Sequence, residues 1–126
     1  MKASHTKTIQ DCDITGFAQI SDDHNPVHFD DEYAKSLGFD KRIAHGMISS
    51  SMFSGLFGSE LPGPGSLFIS QSFKYKKPVY VGDVITAEIL VDSVNLNRRV
   101  VGFVTTCKRS DEIVVSGDAK IFVPKS

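Results

Sequence analysis

The sequence predicts an α+β fold in which one buried helix lies against an antiparallel sheet. Three observations carry this. Residues 44–58 contain no Asp, Glu, Lys or Arg, and a helix that is apolar or small all round is a buried one. From Ser66 onward the apolar period changes from helical to two, the mark of strands. Turn residues punctuate those strands at hairpin spacing, which favours antiparallel pairing. A helix stripe and a sheet face must each bury against something, and here they have each other. The length of 126 residues fits one domain spanning 1–126.

In chain order, His5-Thr6-Lys7-Thr8-Ile9 is Thr-rich and alternates weakly, so a short opening strand is expected. Asp11 or Asp13 is a candidate cap for the helix that follows, in which Ile14, Phe17, Ala18 and Ile20 recur near helical spacing. Pro26 stops any continuation and holds Asn25 extended. Asp30 or Asp31 can cap a second short helix through Tyr33, Ala34 and Leu37, which Gly38 ends.

The uncharged helix over 44–58 is rich in Ser and Gly, both mediocre helix formers, so packing has to hold it. Its small stripe Ser50, Ser51, Ser54 and Gly58, with Met47, lets a backbone or a slender ligand come close. Leu61-Pro62-Gly63-Pro64-Gly65 ends it. Next, Leu67, Ile69, Phe73 and Tyr75 form one strand face, with Gln71 its polar exception. Ile85, Ala87, Ile89 and Val91 form another, residues 100–107 a third strand, and Ile113, Val115, Gly117, Ala119, Ile121 and Val123 a last one. Asn95-Leu96-Asn97 and Ser110-Asp111 are hairpin turns. A sheet wrapped around one helix at this size is the hot-dog arrangement. Its strand edges need covering, and edge-to-edge dimerisation is one way to do it.

Composition narrows the function. With a net charge of −1 and no long Lys/Arg run, neither nucleic acid nor a membrane surface is an expected partner. Cys12 and Cys107 make no disulfide framework or CxxC pair, and both read as buried small hydrophobes. This usage suits a reducing cytoplasm. No apolar signal core opens the chain, and no apolar run nears the roughly 18 residues of a membrane span.

The chemistry concentrates in Ser21-Asp22-Asp23-His24-Asn25-Pro26-Val27-His28. On a proline-stiffened turn, Asp23 and His28 can both reach one water, the carboxylate orienting it and the near-neutral imidazole exchanging its proton. The same residue types also crowd ordinary turns, and Asn25 fits either reading. A metal site is a weaker candidate. His24 and His28 stand four apart but Pro26 intervenes, and Asp22, Asp23 and Asn25 lack the glycine and closing glutamate of a calcium loop. Gly46 opens the uncharged helix, where free N–H groups and the helix dipole can hold an oxyanion. Equally, glycine can simply fit a helix entry. Ser54 can hydrogen-bond in a site or back-bond to its own helix; no GxSxG surrounds it. Gly63-Pro64-Gly65 is not a phosphate loop.

Asp23-His24-Asn25-Pro26-Val27-His28 resembles the D-x-N-P-(L/I/V)-H signature of the MaoC-like (R)-specific enoyl-CoA hydratases, or hydratase 2. Ala44-His45-Gly46-Met47, Ser54-Gly55-Leu56, Leu61-Pro62-Gly63-Pro64-Gly65-Ser66, Gln71-Ser72-Phe73 and Pro78-Val79-Tyr80-Val81-Gly82-Asp83 continue the likeness in order, from about Thr15 to the C-terminus. The resemblance implies a hot-dog homodimer with joined sheets and two sites near the interface. It implies a hydro-lyase that adds water reversibly and syn to trans-2-enoyl-CoA, giving (R)-3-hydroxyacyl-CoA, without metal or organic cofactor. Asp23 and His28 would activate the water, Asn25 hold the loop, the Gly46 N–H receive the thioester oxygen and Ser54 line the site. A 3-hydroxyacyl-[acyl-carrier-protein] dehydratase is the alternative, with Lys74, Lys76, Lys77, Arg98 and Arg99 available to a carrier protein or to coenzyme A phosphates. A non-catalytic acyl-thioester-binding protein is a third reading. Asp22 departs from the family's usual glycine and adds a charge beside Asp23, which would matter if both were poorly solvated.

Overall fold

Alternation from Leu67 onward builds one five-stranded antiparallel sheet. In this computed structural model, which describes residues 1–125, the strands are β1 (Lys2–Thr8), β2 (Leu67–Tyr75), β3 (Val84–Asn95), β4 (Val100–Arg109) and β5 (Glu112–Phe122), ordered β1-β3-β4-β5-β2. The helices are α1 (Asp11–Ser21), α2 (Asp31–Ser36) and α3 (Gly46–Ser59), with a 3₁₀ turn at Pro26–His28. α3 touches all five strands. This is the hot-dog arrangement.

Packing rather than propensity holds α3. Gly55 and Gly58 each cost about 1 kcal/mol relative to Ala in a helix interior. Ile48, Phe53, Leu56 and Phe57 are buried on the sheet side, and each such side chain contributes about 1.5–3 kcal/mol. The burial therefore outweighs the propensity deficit severalfold. Ile85, Ala87 and Ile89 of β3 are fully buried against it, on the face that the period-two pattern selects.

Five expectations are corrected. α3 is not buried all round: Met47 is 59% exposed, and Ser51, Ser54, Gly55 and Gly58 also face outward. The small-residue stripe is an open side. In β2, Phe68 packs on Phe57 and Phe73 on Phe53, although simple alternation puts Phe68 and Phe73 on opposite faces. A bulge between Phe68 and Ser70 shifts the phase by one residue. Ile20 is 88% exposed while Ile14 and Ala18 face the core. Cys12 is exposed, and only Cys107 is buried. At the start of α1 the cap residue is Gln10, whose N–H donates to the Asp13 carboxylate at 2.8 Å. Asp30 caps α2 as expected, its Oδ1 accepting from the N–H groups of Glu32 and Tyr33.

Candidate active site

α1 ends at Ser21 and Asp22 turns the chain out of it with φ 61°, its N–H still bonded to the Ala18 carbonyl. A left-handed C-cap favours glycine, with Asp and Asn among the side chains that tolerate it. This accounts for an aspartate where glycine is usual. Its side chain is 96% exposed and lies 3.7 Å from His24, so no poorly solvated pair forms with Asp23.

The Asp23 N–H donates to Ser21 Oγ at 3.1 Å, and Asp23 Oδ1 accepts the Asn25 N–H at 3.1 Å. One carboxylate oxygen is thus tied to the loop. Asn25 Oδ1 accepts the Val27 N–H at 3.2 Å and caps the 3₁₀ turn, whose first residue is Pro26. That short turn drives His28 inward, to 8% exposure. His28 Nδ1 lies 2.8 Å from the Ile43 carbonyl oxygen. A carbonyl only accepts, so Nδ1 carries the hydrogen and Nε2 keeps a lone pair in the neutral ring. Nε2 faces Asp23 Oδ2 across 3.9 Å. This is too long for a direct hydrogen bond and short enough for one water to bridge. Burial lowers the His28 pKa, the nearby His45 lowers it further, and the Ile43 bond and the Asp23 charge oppose the shift.

The α3 N-terminus forms the second half of the site. Ile43 N–H bonds to Val27 O and Ala44 N–H to Val79 O, fixing the entry to the helix. Gly46 is the first helical residue, so its N–H has no intrahelical acceptor. His28, Ile43, Gly46, Tyr75, Lys76 and Lys77 line one cavity of about 380 Å³. A Cβ on Gly46 would sit 2.8 Å from Tyr75 Cδ1, and the Tyr75 hydroxyl is bonded to Ser50 Oγ at 3.1 Å. Tyr75 therefore leans over the helix start where only glycine leaves room.

Asp23, Asn25, His28 and Gly46 are brought together. Ser54 is not: it opens onto a separate groove with Phe17, Met47 and Phe68, eight residues and about 12 Å along the helix from Gly46. His24 points to solvent, its side chain 67% exposed. The sequence reading missed His45, which is buried and stacked on the His28 ring at 3.8 Å. The available signal was a lone imidazole inside an uncharged run. Asp23, His28 and His45 bring potential ligand atoms within 4.8 Å of one another. The rings, however, lie nearly parallel at 28°, and lone pairs in stacked planes do not converge on one ion at the roughly 2.0–2.1 Å of a metal–imidazole bond. The set fits hydrogen bonding better than coordination. Of the basic residues singled out, Lys76 and Lys77 reach the cavity, whereas Arg99 bonds the Val123 and Pro124 carbonyls at the β3–β4 turn.

Residues 1–113 match the family model described as a MaoC like domain. An (R)-specific enoyl-CoA hydratase from Rhodospirillum rubrum is 43% identical over 122 residues, covering 97% of this chain and 85% of that protein. A mitochondrial 3-hydroxyacyl-[acyl-carrier-protein] dehydratase from Arabidopsis thaliana is 37% identical, covering 94% of this chain and 73% of the relative. Among solved structures, the (R)-hydratase from A. caviae involved in PHA biosynthesis superposes with a TM-score of 0.93 at 36% identity, over 98% of this chain and 95% of that one. The acid–base turn, the helix-start cavity and these relatives agree, and the chain belongs to the MaoC-like domain family.

Proposed function

We propose that this protein is an (R)-specific enoyl-CoA hydratase, a hydro-lyase that interconverts trans-2-enoyl-CoA and (R)-3-hydroxyacyl-CoA. The observation that carries the reading is the 3.9 Å gap between His28 Nε2 and Asp23 Oδ2, set beside a cavity lined by His28 and by Gly46, the first residue of α3. A water held across the gap attacks C3 of the enoyl thioester while Nε2 accepts one of its protons. The C2=C3 electron pair moves into the thioester, and the charge on its oxygen meets the Gly46 N–H and the positive end of α3. A proton from the Asp23–His28 pair then reaches C2 from the same face, which makes the addition syn. Asn25 holds the loop, and Lys76 and Lys77 at the cavity suit the phosphates of coenzyme A.

Crotonyl-CoA hydration, followed by loss of enoyl absorbance with chiral analysis of the product, tests the assignment. The expected product is (R)-3-hydroxybutyryl-CoA; an (S) product or no turnover would rule it out. The Arabidopsis relative keeps a second reading in view, dehydration of a carrier-protein-bound substrate. Turnover of 3-hydroxybutyryl thioesters of coenzyme A and of carrier protein, measured side by side, separates the two.

The pH profile follows from His28. Hydration needs Nε2 unprotonated, and burial moves the pKa below the ordinary 6.5. His45 also disfavours a further positive charge on the ring, while the Ile43 carbonyl bond and the Asp23 carboxylate favour it without overcoming burial. The acid limb of kcat/KM is therefore expected below pH 6.5, reported by the pair as a unit. An acid limb above 6.5 would contradict the assignment of His28 as the base.

The working unit is a homodimer. β2 is a sheet edge, yet Leu67, Phe68 and Ile69 on it are 61%, 45% and 53% exposed. The groove beside it, lined by Phe17, Met47, Ser54 and Phe73, leaves the open side of α3 uncovered. A second copy pairing through β2 covers both, as edge strands require. Analytical ultracentrifugation is expected to give twice the chain mass, with Ile69→Lys shifting it to monomer; a wild-type monomer would refute this. The same reading makes the protein a single-domain cytoplasmic enzyme. Among the described residues no helix is long and apolar enough to cross a membrane.

A further inference from the structure

His45 is 2% exposed, and the acid–base chemistry leaves it unused. Its Nε2 lies 3.0 Å from the Asp23 carbonyl oxygen. The carbonyl can only accept, so Nε2 carries the hydrogen and donates it. Nδ1 is buried and has no partner among the described residues. The ring stacks on His28 at 3.8 Å, leans on Phe17 at 4.8 Å and meets the edge of Phe29 at 6.2 Å.

An apolar ring would fill this space between Phe17, Phe29 and His28 without leaving a ring nitrogen unpaired, so packing alone gives no reason for an imidazole. The N–H does give one. The Asp23 loop is otherwise tied to its own neighbours, Ser21 and Asn25. The bond from His45 joins it to the start of α3. His45 also precedes Gly46 as the N-cap residue, with φ −58° and ψ 131°. One residue thus meets the Asp23 backbone, the face of His28 and the backbone of the oxyanion donor.

We infer that His45 is a positioning residue that holds the Asp23 carboxylate, the His28 imidazole and the Gly46 N–H in one fixed geometry. The inference rests on the hydratase reading of the same site. Its Nε2–H sets the height of the Asp23 loop over α3, and its ring sets the plane of His28. Misplacing reacting groups by about 1 Å can cost about 100-fold in rate, so a single bond at this junction is enough to matter.

Two variants divide the roles. His45→Phe keeps the ring and volume but loses the donor; His45→Gln loses the ring but places an amide N–H near Nε2. With crotonyl-CoA, H45F is expected to lower kcat about 10- to 100-fold with KM changed less than about threefold, and H45Q to recover at least about fivefold over H45F. Thermal unfolding of both should stay within a few degrees of wild type. Nitrogen-15 shifts of the wild-type imidazoles should show His45 as the Nε2–H tautomer. Wild-type kcat in H45F, a loss carried by KM alone, H45Q no faster than H45F, or an Nδ1–H tautomer at His45 would each overturn the inference. An unmodified protein that hydrates no enoyl thioester would instead sink the hydratase reading, and the tautomer measurement would still decide whether the tie to Asp23 exists.

Discussion

Asp23→Asn and His28→Gln are each expected to slow crotonyl-CoA hydration at least about 100-fold, the scale of positioned acid–base groups, with the fold intact. The local bonding explains why structure should survive. In Asp23→Asn the amide oxygen can still accept the Asn25 N–H that Oδ1 now accepts at 3.1 Å, so the loop keeps its shape. The side chain is 46% exposed, so no buried charge is stranded or removed, and the stability change should stay within about 1 kcal/mol. What disappears is the anionic oxygen facing Nε2. In His28→Gln the amide sits near the former Nε2 without its basic lone pair, and the lost Nδ1–H bond to the Ile43 carbonyl costs only about 1 kcal/mol. Initial rates together with thermal unfolding separate lost chemistry from lost fold. Activity within tenfold of wild type in either folded variant would remove the pair from the mechanism.

Much of this was readable in one dimension because it is set locally. The inward face of β3 follows from Ile85, Ala87 and Ile89 recurring at two, and the Asp30 cap follows from a side chain bonding N–H groups two and three residues on. The shape of the turn carrying Asp23 and His28 is equally local, since Asn25 caps it and Pro26 opens it. What stayed illegible depends on distant parts of the chain. The bulge in β2 arises where Phe68 and Phe73 must both face α3, a demand that no alternation rule contains. The open side of α3 is as free of charge as its buried side, so the missing charge alone could not tell one from the other, although the large residues Ile48, Phe53, Leu56 and Phe57 all lie on the buried side. The stack of His45 on His28 joins residues that neither periodicity nor spacing relates. Ser54 shows the opposite error. The family resemblance put it in the candidate site, but two helical turns from Gly46 carry it into another groove.

Replacing Gly46 by proline is expected to give the other large effect, because it removes one hydrogen atom from the proposed oxyanion site. Gly46 is the first residue of α3, where proline is well tolerated: that N–H has no helical partner and the ring presets a helical φ. His45 already holds ψ 131°, in the extended range that a residue before proline needs. The helix should therefore start as before. A Cβ at this position would meet Tyr75 Cδ1 at 2.8 Å and Cε1 at 3.0 Å, so some of any loss will come from moving that ring. Gly46→Ala supplies the control: it introduces the same Cβ and keeps the N–H. The difference between the two variants isolates the hydrogen bond, and removal of one oxyanion donor typically costs about 100- to 1,000-fold in kcat. Gly46→Pro is therefore expected to be at least about 100-fold slower than Gly46→Ala, with the unfolding temperatures of the two close together. Equal rates would mean that the thioester oxygen does not rest on this N–H, and that glycine stands at the head of α3 only to admit Tyr75.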